Sequence, residues 1–344
     1  MKVCLYLELS DAPIIRKSGV WTAFQAHRRA LENEEVELLS DPRSEDCDIL
    51  HLHAYGPRSL YYLKKAKRAG KRVVVHAHSI GAYDLKDGFV LSSLIAPLYE
   101  RYLHYYYRCG DAIFTPSARA REMLLEKGLK EPIEVVHNCV DKSKFCFSPE
   151  KRQTNRNDLS PEQFTVISSG NVIPRKGVID FAEAARALPQ FNFVWYGQHW
   201  GLLAFHPRME RKIRESSQNL FMPGFVYDMQ AALSGGDLFF FPSYGENQPM
   251  ALLEAAVCGL PLIVRDLPEY RGWLEDGENC LKGSCKEEFI ELIERVAADE
   301  KLREKLAQGA RATAEEYSLE RVGARLMQLY SSLLSRAVSK EPAD

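Results

Sequence analysis

Between Asp237 and Val264 the chain writes out a strand, a loop, a helix and a second strand, and that order constrains its fold more than any other feature. Asp237-Leu238-Phe239-Phe240-Phe241 is an apolar run of strand length, and Pro249 stands where a first helical residue is expected. Gly259 and Pro261 stop the helix, and Leu262-Ile263-Val264 begins the next strand. Strands joined through a helix run parallel, and sheets built this way gather ligands beyond the carboxyl ends of their strands. The same alternation of apolar runs and helix-length segments continues along the chain, so the expected class is α/β.

Strands are expected near residues 2–8, 35–39, 48–52, 72–77, 111–115 and 133–137, with helices near 18–32, 57–69, 89–108 and 117–127. The polar stretch 148–161 reads as a linker. A second series starts at Phe164 and continues near 191–196, 219–222, 237–241 and 262–265, before a helical, heavily charged end. At 344 residues the chain has room for two domains, each with its own core.

The loop and helix of the first motif carry two acids eight positions apart, Glu246 and Glu254. Backbone N–H groups at a helix start favour phosphate. Glu254, inside the helix, is placed to accept hydrogen bonds from a vicinal diol such as a ribose, and Glu246 to hold hydroxyls of a second sugar; neither task needs a metal. The pair reads as a nucleotide-sugar site. A second loop, Ser168-Ser169-Gly170-Asn171-Val172-Ile173-Pro174-Arg175-Lys176-Gly177, follows the first strand of the second series. Arg175 offers planar paired donors and Lys176 a point charge, a suitable clamp for a pyrophosphate.

A formal net charge of −2 argues against a general nucleic-acid binder. The eight cysteines include no C-x-x-C and mostly fall in apolar segments, so free thiols in a cytosolic protein are expected. The opening strand has neither the length nor the cleavage pattern of a signal peptide, and no apolar stretch is long enough to span a bilayer. His51, His53, His76 and His78 alternate at two strand ends, but no carboxylate or cysteine is spaced to complete a metal site, and none is expected. Seven basic residues and no acid fall between Arg58 and Arg72, and a Tyr-rich segment runs from Phe89 to Arg108. Basic and Tyr-rich helix faces suit an anionic membrane surface.

The chain resembles the retaining glycosyltransferases of family 4 along almost its whole length. The resemblance is carried by Glu246 and Glu254-Ala255, with Gly224, Asp237, Pro242-Ser243 and Cys258-Gly259-Leu260-Pro261. Glu275-Asp276-Gly277-Glu278-Asn279 is similar to a further family turn, with Cys280 replacing its final Gly. It implies two Rossmann-like domains facing across a cleft (the B-type glycosyltransferase fold): 1–150 on the acceptor side, 151–317 binding the nucleotide sugar, and a helix within 318–344 crossing back to the first domain. It maps Lys176 onto the family's loop lysine, Gly19 onto its glycine loop and His78 onto a histidine near the transferred sugar. Asn171 replaces the family's usual Arg, a charge that Arg175 is placed to supply.

Arg16-Lys17-Ser18-Gly19, His51-Leu52-His53-Ala54-Tyr55-Gly56-Pro57 and His76-Ala77-His78-Ser79 further resemble short bacterial diglycosyldiacylglycerol synthases. The implied reaction is hexose transfer from UDP-glucose or UDP-galactose to a membrane glycolipid, with no obligatory cofactor, on the cytoplasmic face of the plasma membrane. Glu254 would hold the ribose, Lys176 and Arg175 the pyrophosphate, and Glu246 with Asn247, Gln248, Pro249 and Met250 the hexose. Two rivals stand beside it: a capsule or cell-wall transferase using a prenyl-linked acceptor, and a non-catalytic nucleotide-sugar-binding protein.

Overall fold

A computed structural model describes residues 1–338 apart from 45, 86–91, 131, 157–161 and 217. The described chain forms two compact units. The first comprises Met1–Ala82, Ala96–Cys139 and the segment from Tyr317 onward; the second comprises Tyr83–Ile95 and Val140–Glu316.

The first unit holds six parallel strands: β1 (Lys2–Tyr6), β2 (Glu37–Leu39), β3 (Ile49–Leu52), β4 (Arg72–His76), β5 (Ala112–Thr115) and β6 (Ile133–Val135). Their spatial order is β2-β1-β3-β4-β5-β6. Strands β3, β4 and β5 are buried on both faces apart from Arg72, which is why they read as continuous apolar runs. The helix Leu319–Val338 belongs to this unit. It approaches the helix Gly19–Glu32 so closely that a Cβ on Gly323 would meet the Ala30 carbonyl oxygen at 2.6 Å. The C-terminal segment thus returns to the first sheet.

The second unit repeats the plan with β7 (Thr165–Ser169), β8 (Asn192–Tyr196), β9 (Leu220–Gly224), β10 (Leu238–Phe241), β11 (Leu262–Arg265) and β12 (Leu281–Gly283), ordered β12-β11-β10-β7-β8-β9. Strand β12, only three residues long, escaped the sequence reading. The core is aromatic: Phe240 lies 5.7 Å from Phe181 and 4.9 Å from Phe289 between ring centroids, and Phe181 meets Trp195 edge-on. Each such fully buried side chain contributes roughly 1.5–3 kcal/mol.

One expectation fails. Pro149–Asn155, inside the supposed linker, is a helix whose Ser148 Oγ accepts from the Lys151 N–H. Arg152 donates from Nη2 to Asp237 Oδ1 at 2.5 Å, and Arg156 also bonds the Asp237 carboxylate. The polar composition that reads as linker is the ion-pairing face of a helix docked on the start of β10. The start of the expected 89–108 helix lies outside the described residues; its described part is Ser92–Arg108.

Candidate functional site

In the second sheet β7 pairs with both β8 and β10, so the loops after β7 and β10 diverge from neighbouring strands. This is the switch point at which open α/β sheets leave a crevice. Two loops far apart in sequence, 170–177 and 242–249, are thereby brought together. Lys176 donates from Nζ to Glu246 Oε1 at 2.5 Å, and Ser243 Oγ donates to the same oxygen at 2.6 Å. Arg175 Nη1 donates to the Gly245 carbonyl at 2.7 Å, and the Tyr244 N–H donates to the Arg175 carbonyl at 2.8 Å. Gly177 makes the approach possible: its φ is +80°, and a Cβ there would collide with the Pro242 carbonyl. Burial pushes the Lys176 ammonium pKa down, while Glu246 opposes that shift and Arg175 adds to it. The expected clamp residues therefore form one cluster, whose buried cation is balanced by the loop acid.

The helix after this loop runs Met250–Cys258 and ends at Gly259, φ +79°. Pro249 occupies the cap position, one residue before the helix rather than within it, and it has no N–H to offer a ligand. The remaining amides of this stretch are those of Asn247, Gln248 and Met250. Asn247 Nδ2 donates to Asp84 Oδ1 at 3.4 Å, and Gln248 and Met250 are buried. Glu254 is 7% exposed, and burial raises its carboxyl pKa to about 7, opposed by Lys144. A carboxylate held this dry gains from hydroxyl donors more than one in water does.

A brace beneath the loop was missed by sequence reasoning. Arg265, the last residue of β11, donates to the carbonyls of Pro242 (3.1 Å) and Ser284 (2.7 Å), pairs with Asp180 at 3.1 Å and lies 3.8 Å from the Tyr244 ring centroid. Its signal was an arginine closing the otherwise apolar run Leu262-Ile263-Val264. Tyr83 donates to Glu269 Oε1 at 2.6 Å, a second contact that no motif announced.

In the first unit His78 is partly exposed, and its Nε2 lies 3.0 Å from His53 Nδ1. Gly19 begins its helix behind Ser18, whose Oγ accepts from the Trp21 N–H; a Cβ on Gly19 would meet nothing within 4 Å. No steric demand inside this unit requires glycine there. The triplet Asp46-Cys47-Asp48 has the spacing of a metal-binding carboxylate pair, but it precedes β3 at the end opposite the ligand edge, and Asp48 Oδ2 accepts from the Lys2 N–H. All eight cysteines are free thiols. Among the described residues no helix is long and apolar enough to cross a membrane.

The family model described as Glycosyltransferase Family 4 matches residues 15–144, and that described as Glycosyl transferases group 1 matches residues 149–313. The processive diacylglycerol alpha-glucosyltransferase of Acholeplasma laidlawii is 32% identical over 97% of this chain and 99% of its own length. The alpha-galactosylglucosyldiacylglycerol synthase of Streptococcus pneumoniae is 29% identical over 91% of this chain and 85% of its own. Among solved structures, Anabaena HepE in complex with UDP and glucose superposes with a TM-score of 0.77 at 16% identity, covering 96% of this chain and 99% of that one, a likeness of fold. With two parallel sheets, a switch-point cluster that joins Lys176 to Glu246 and a relative matched nearly end to end, the chain belongs to the family 4 glycosyltransferases.

Proposed function

We propose that this protein moves a hexose, with retention of configuration, from UDP-glucose or UDP-galactose to a membrane glycolipid, the favoured acceptor being monoglucosyl diacylglycerol. The observation that carries the reading is Glu246, tied to Lys176 and Ser243 in the loop that leads into the helix carrying the buried Glu254. The activities of the two glycolipid-synthesising relatives support the acceptor class. The HepE complex with UDP-glucose supports the donor.

Glu254 accepts from the ribose hydroxyls. Lys176 and Arg175 face the pyrophosphate, and Glu246 with the amides of 247, 248 and 250 orients the hexose. His78 and Gly19 keep the parts the resemblance assigns them, near the transferred sugar. The barrier lies in separating UDP from an oxocarbenium-like sugar, and fixed cations aimed at the departing phosphate lower it. When the diphosphate arrives, Lys176 turns part of its charge from Glu246 to the phosphate. Lacking an assigned nucleophile, the reaction proceeds by same-face substitution assisted by the leaving phosphate. Transfer needs no added divalent cation.

The acceptor side rests on two helices. Pro57–Arg68 exposes Tyr61 beside Lys64, Lys65 and Arg68; Ser92–Arg108 exposes Leu94 (76%), Leu98 (74%) and Tyr105. Lys64 Nζ lies 5.5 Å from the Tyr105 ring centroid. Exposed apolar and basic side chains together fit peripheral attachment to anionic lipid.

The test is incubation of the purified protein with radiolabelled UDP-glucose or UDP-galactose and liposomes carrying either monoglucosyl diacylglycerol or a prenyl-diphosphate sugar. Label in a diglycosyl diacylglycerol is the expected result. Label confined to the prenyl lipid refutes the acceptor, and absence of both transfer and donor hydrolysis refutes the enzyme.

A further inference from the structure

Five histidines of the first unit meet at the ligand edge of its sheet. His51 lies in β3 and His53 just beyond it; His76 ends β4, and His78 follows. The fifth, His27, comes from the helix Gly19–Glu32 that follows β1, the strand paired with β3. Neighbouring ring centroids stand 4.4 to 5.5 Å apart. His27, His51, His53 and His76 are 0% exposed. Burial depresses all four pKa values, that of His27 to about 4, so the rings are neutral at pH 7.

A neutral imidazole carries one N–H and one lone pair, which allows the protons to be placed. His27 Nε2 lies 2.9 Å from the His137 carbonyl; a carbonyl only accepts, so Nε2 holds the proton and Nδ1 the lone pair. His53 Nδ1 faces His78 Nε2 at 3.0 Å, His76 Nδ1 faces His51 Nε2 at 3.3 Å, and His51 Nδ1 faces Tyr330 Oη at 2.6 Å. Because the Tyr330 hydroxyl both donates and accepts, these contacts can be satisfied in either direction; in the assignment where His53 and His76 donate from Nδ1, their Nε2 atoms are left as acceptors. Three nitrogens then remain, His27 Nδ1, His53 Nε2 and His76 Nε2. Each is buried without a hydrogen-bond partner, and His27, His53 and His76 each place one ring nitrogen within 4.8 Å of the others'.

Ring stacking accounts for four of these histidines being neighbours, but not for three dry lone pairs converging. Each unmet acceptor costs about 1–3 kcal/mol, and a single cation removes all three penalties at once. We propose that His27 Nδ1, His53 Nε2 and His76 Nε2 bind one divalent transition-metal ion, zinc first among the candidates. Three imidazoles are an ordinary zinc set, with bonds of about 2.0–2.1 Å and room for a water as fourth ligand. Tetrahedral geometry brings the nitrogens to about 3.3 Å from one another, so the rings draw together on loading. Each ligand has its other nitrogen held: His27 by the His137 carbonyl, His53 by His78, His76 by His51 and through it Tyr330. Such outer partners fix ring orientation and tautomer around metals.

The ion thus ties β3, β4 and the helix after β1 to the returning C-terminal helix. Through His53 it also sets which nitrogen of His78 is the acceptor, making His53 a positioning residue. This inference is independent of the donor reading, since a metal count involves neither UDP nor a lipid.

The experiment uses the full chain without a polyhistidine tag, purified from zinc-supplemented cells and dialysed against EDTA to strip surface ions, then measured by inductively coupled plasma mass spectrometry. About one zinc per chain is expected, falling at least tenfold in His27→Gln and His76→Gln and unchanged in His199→Gln, a surface control. Refolding the wild-type chain with cobalt(II) is expected to give the visible ligand-field bands of a four-coordinate ion. Should the variants not fold, the wild-type count and the cobalt spectrum decide alone. A wild-type chain without zinc and without cobalt bands, its cluster filled by water only, overturns the proposal, as does full zinc retention in a folded His76→Gln variant.

Discussion

At the ligand edge of the first sheet the buried polar groups are imidazoles kept neutral by burial; at the same edge of the second they are ions, Lys176 with Glu246 and Arg265 with Asp180. Both edges lie beside a strand-order reversal, so the backbone plan does not separate them. The side chains do. A buried ion pair holds a cation ready to turn toward an arriving anion, and loop amides add to the pull. A cluster of neutral imidazoles offers lone pairs, which attract a cation. On the readings proposed above, one edge receives phosphate and the other is held together by a cation.

The largest expected effect tests whether ions brace the second edge. Arg265→Ala strips two carbonyls of their donor and leaves Asp180 buried without its cation, a loss of about 3–5 kcal/mol. Urea denaturation followed by circular dichroism reads it; a loss below 1 kcal/mol would mean the brace is ornamental and the contrast overstated. Next, Lys176→Ala is expected to lower kcat by about 10²–10³-fold, while UDP affinity measured by calorimetry changes less than tenfold. Equal losses in both quantities would make Lys176 a binding residue only.

Glu254→Ala comes third, with UDP affinity reduced by roughly 10- to 100-fold, the worth of hydrogen bonds to a buried carboxylate. Because the carboxyl titrates near 7 and only its ionised form accepts fully from a diol, UDP affinity is expected to fall as pH drops below 7, by up to about tenfold per unit. Glu254→Gln should keep only the slope due to phosphate titration near pH 6. In the free protein the sign is opposite. A raised acid pKa contributes stability that is complete below the unfolded value of 4.5 and is lost as pH rises through about 7. The smallest effect concerns the lipid face: Lys64→Ala and Lys65→Ala should each weaken binding to phosphatidylglycerol liposomes by about 1 kcal/mol, roughly fivefold in flotation assays, and leave binding to neutral lipid unchanged.

The strands were legible because each buried run announces itself locally: Val73-Val74-Val75 and Leu238-Phe239-Phe240-Phe241 have the length and composition of sheet interiors. Glu246 and Glu254 were legible because a short loop and helix hold them at fixed spacing. The helix Pro149–Asn155 was not, since its partner Asp237 lies beyond three intervening strands of chain and its own residues are polar throughout. Arg265 and Asp180 escaped for the same reason: a buried charge in isolation looks like a surface one until its partner is known.

Local pattern, then, determined the α/β class, the two series of strands apart from the short β12, and the spacing of the two acids, because periodicity and turn chemistry act over a few residues. Strand order decided the rest. It set the loop after β7 beside the loop after β10, so that Lys176 meets Glu246, and it set the helix after β1 beside β3 and β4, so that His27 joins His53 and His76. Those meetings join positions distant in sequence, and they exist only once hydrophobic burial has closed the sheets.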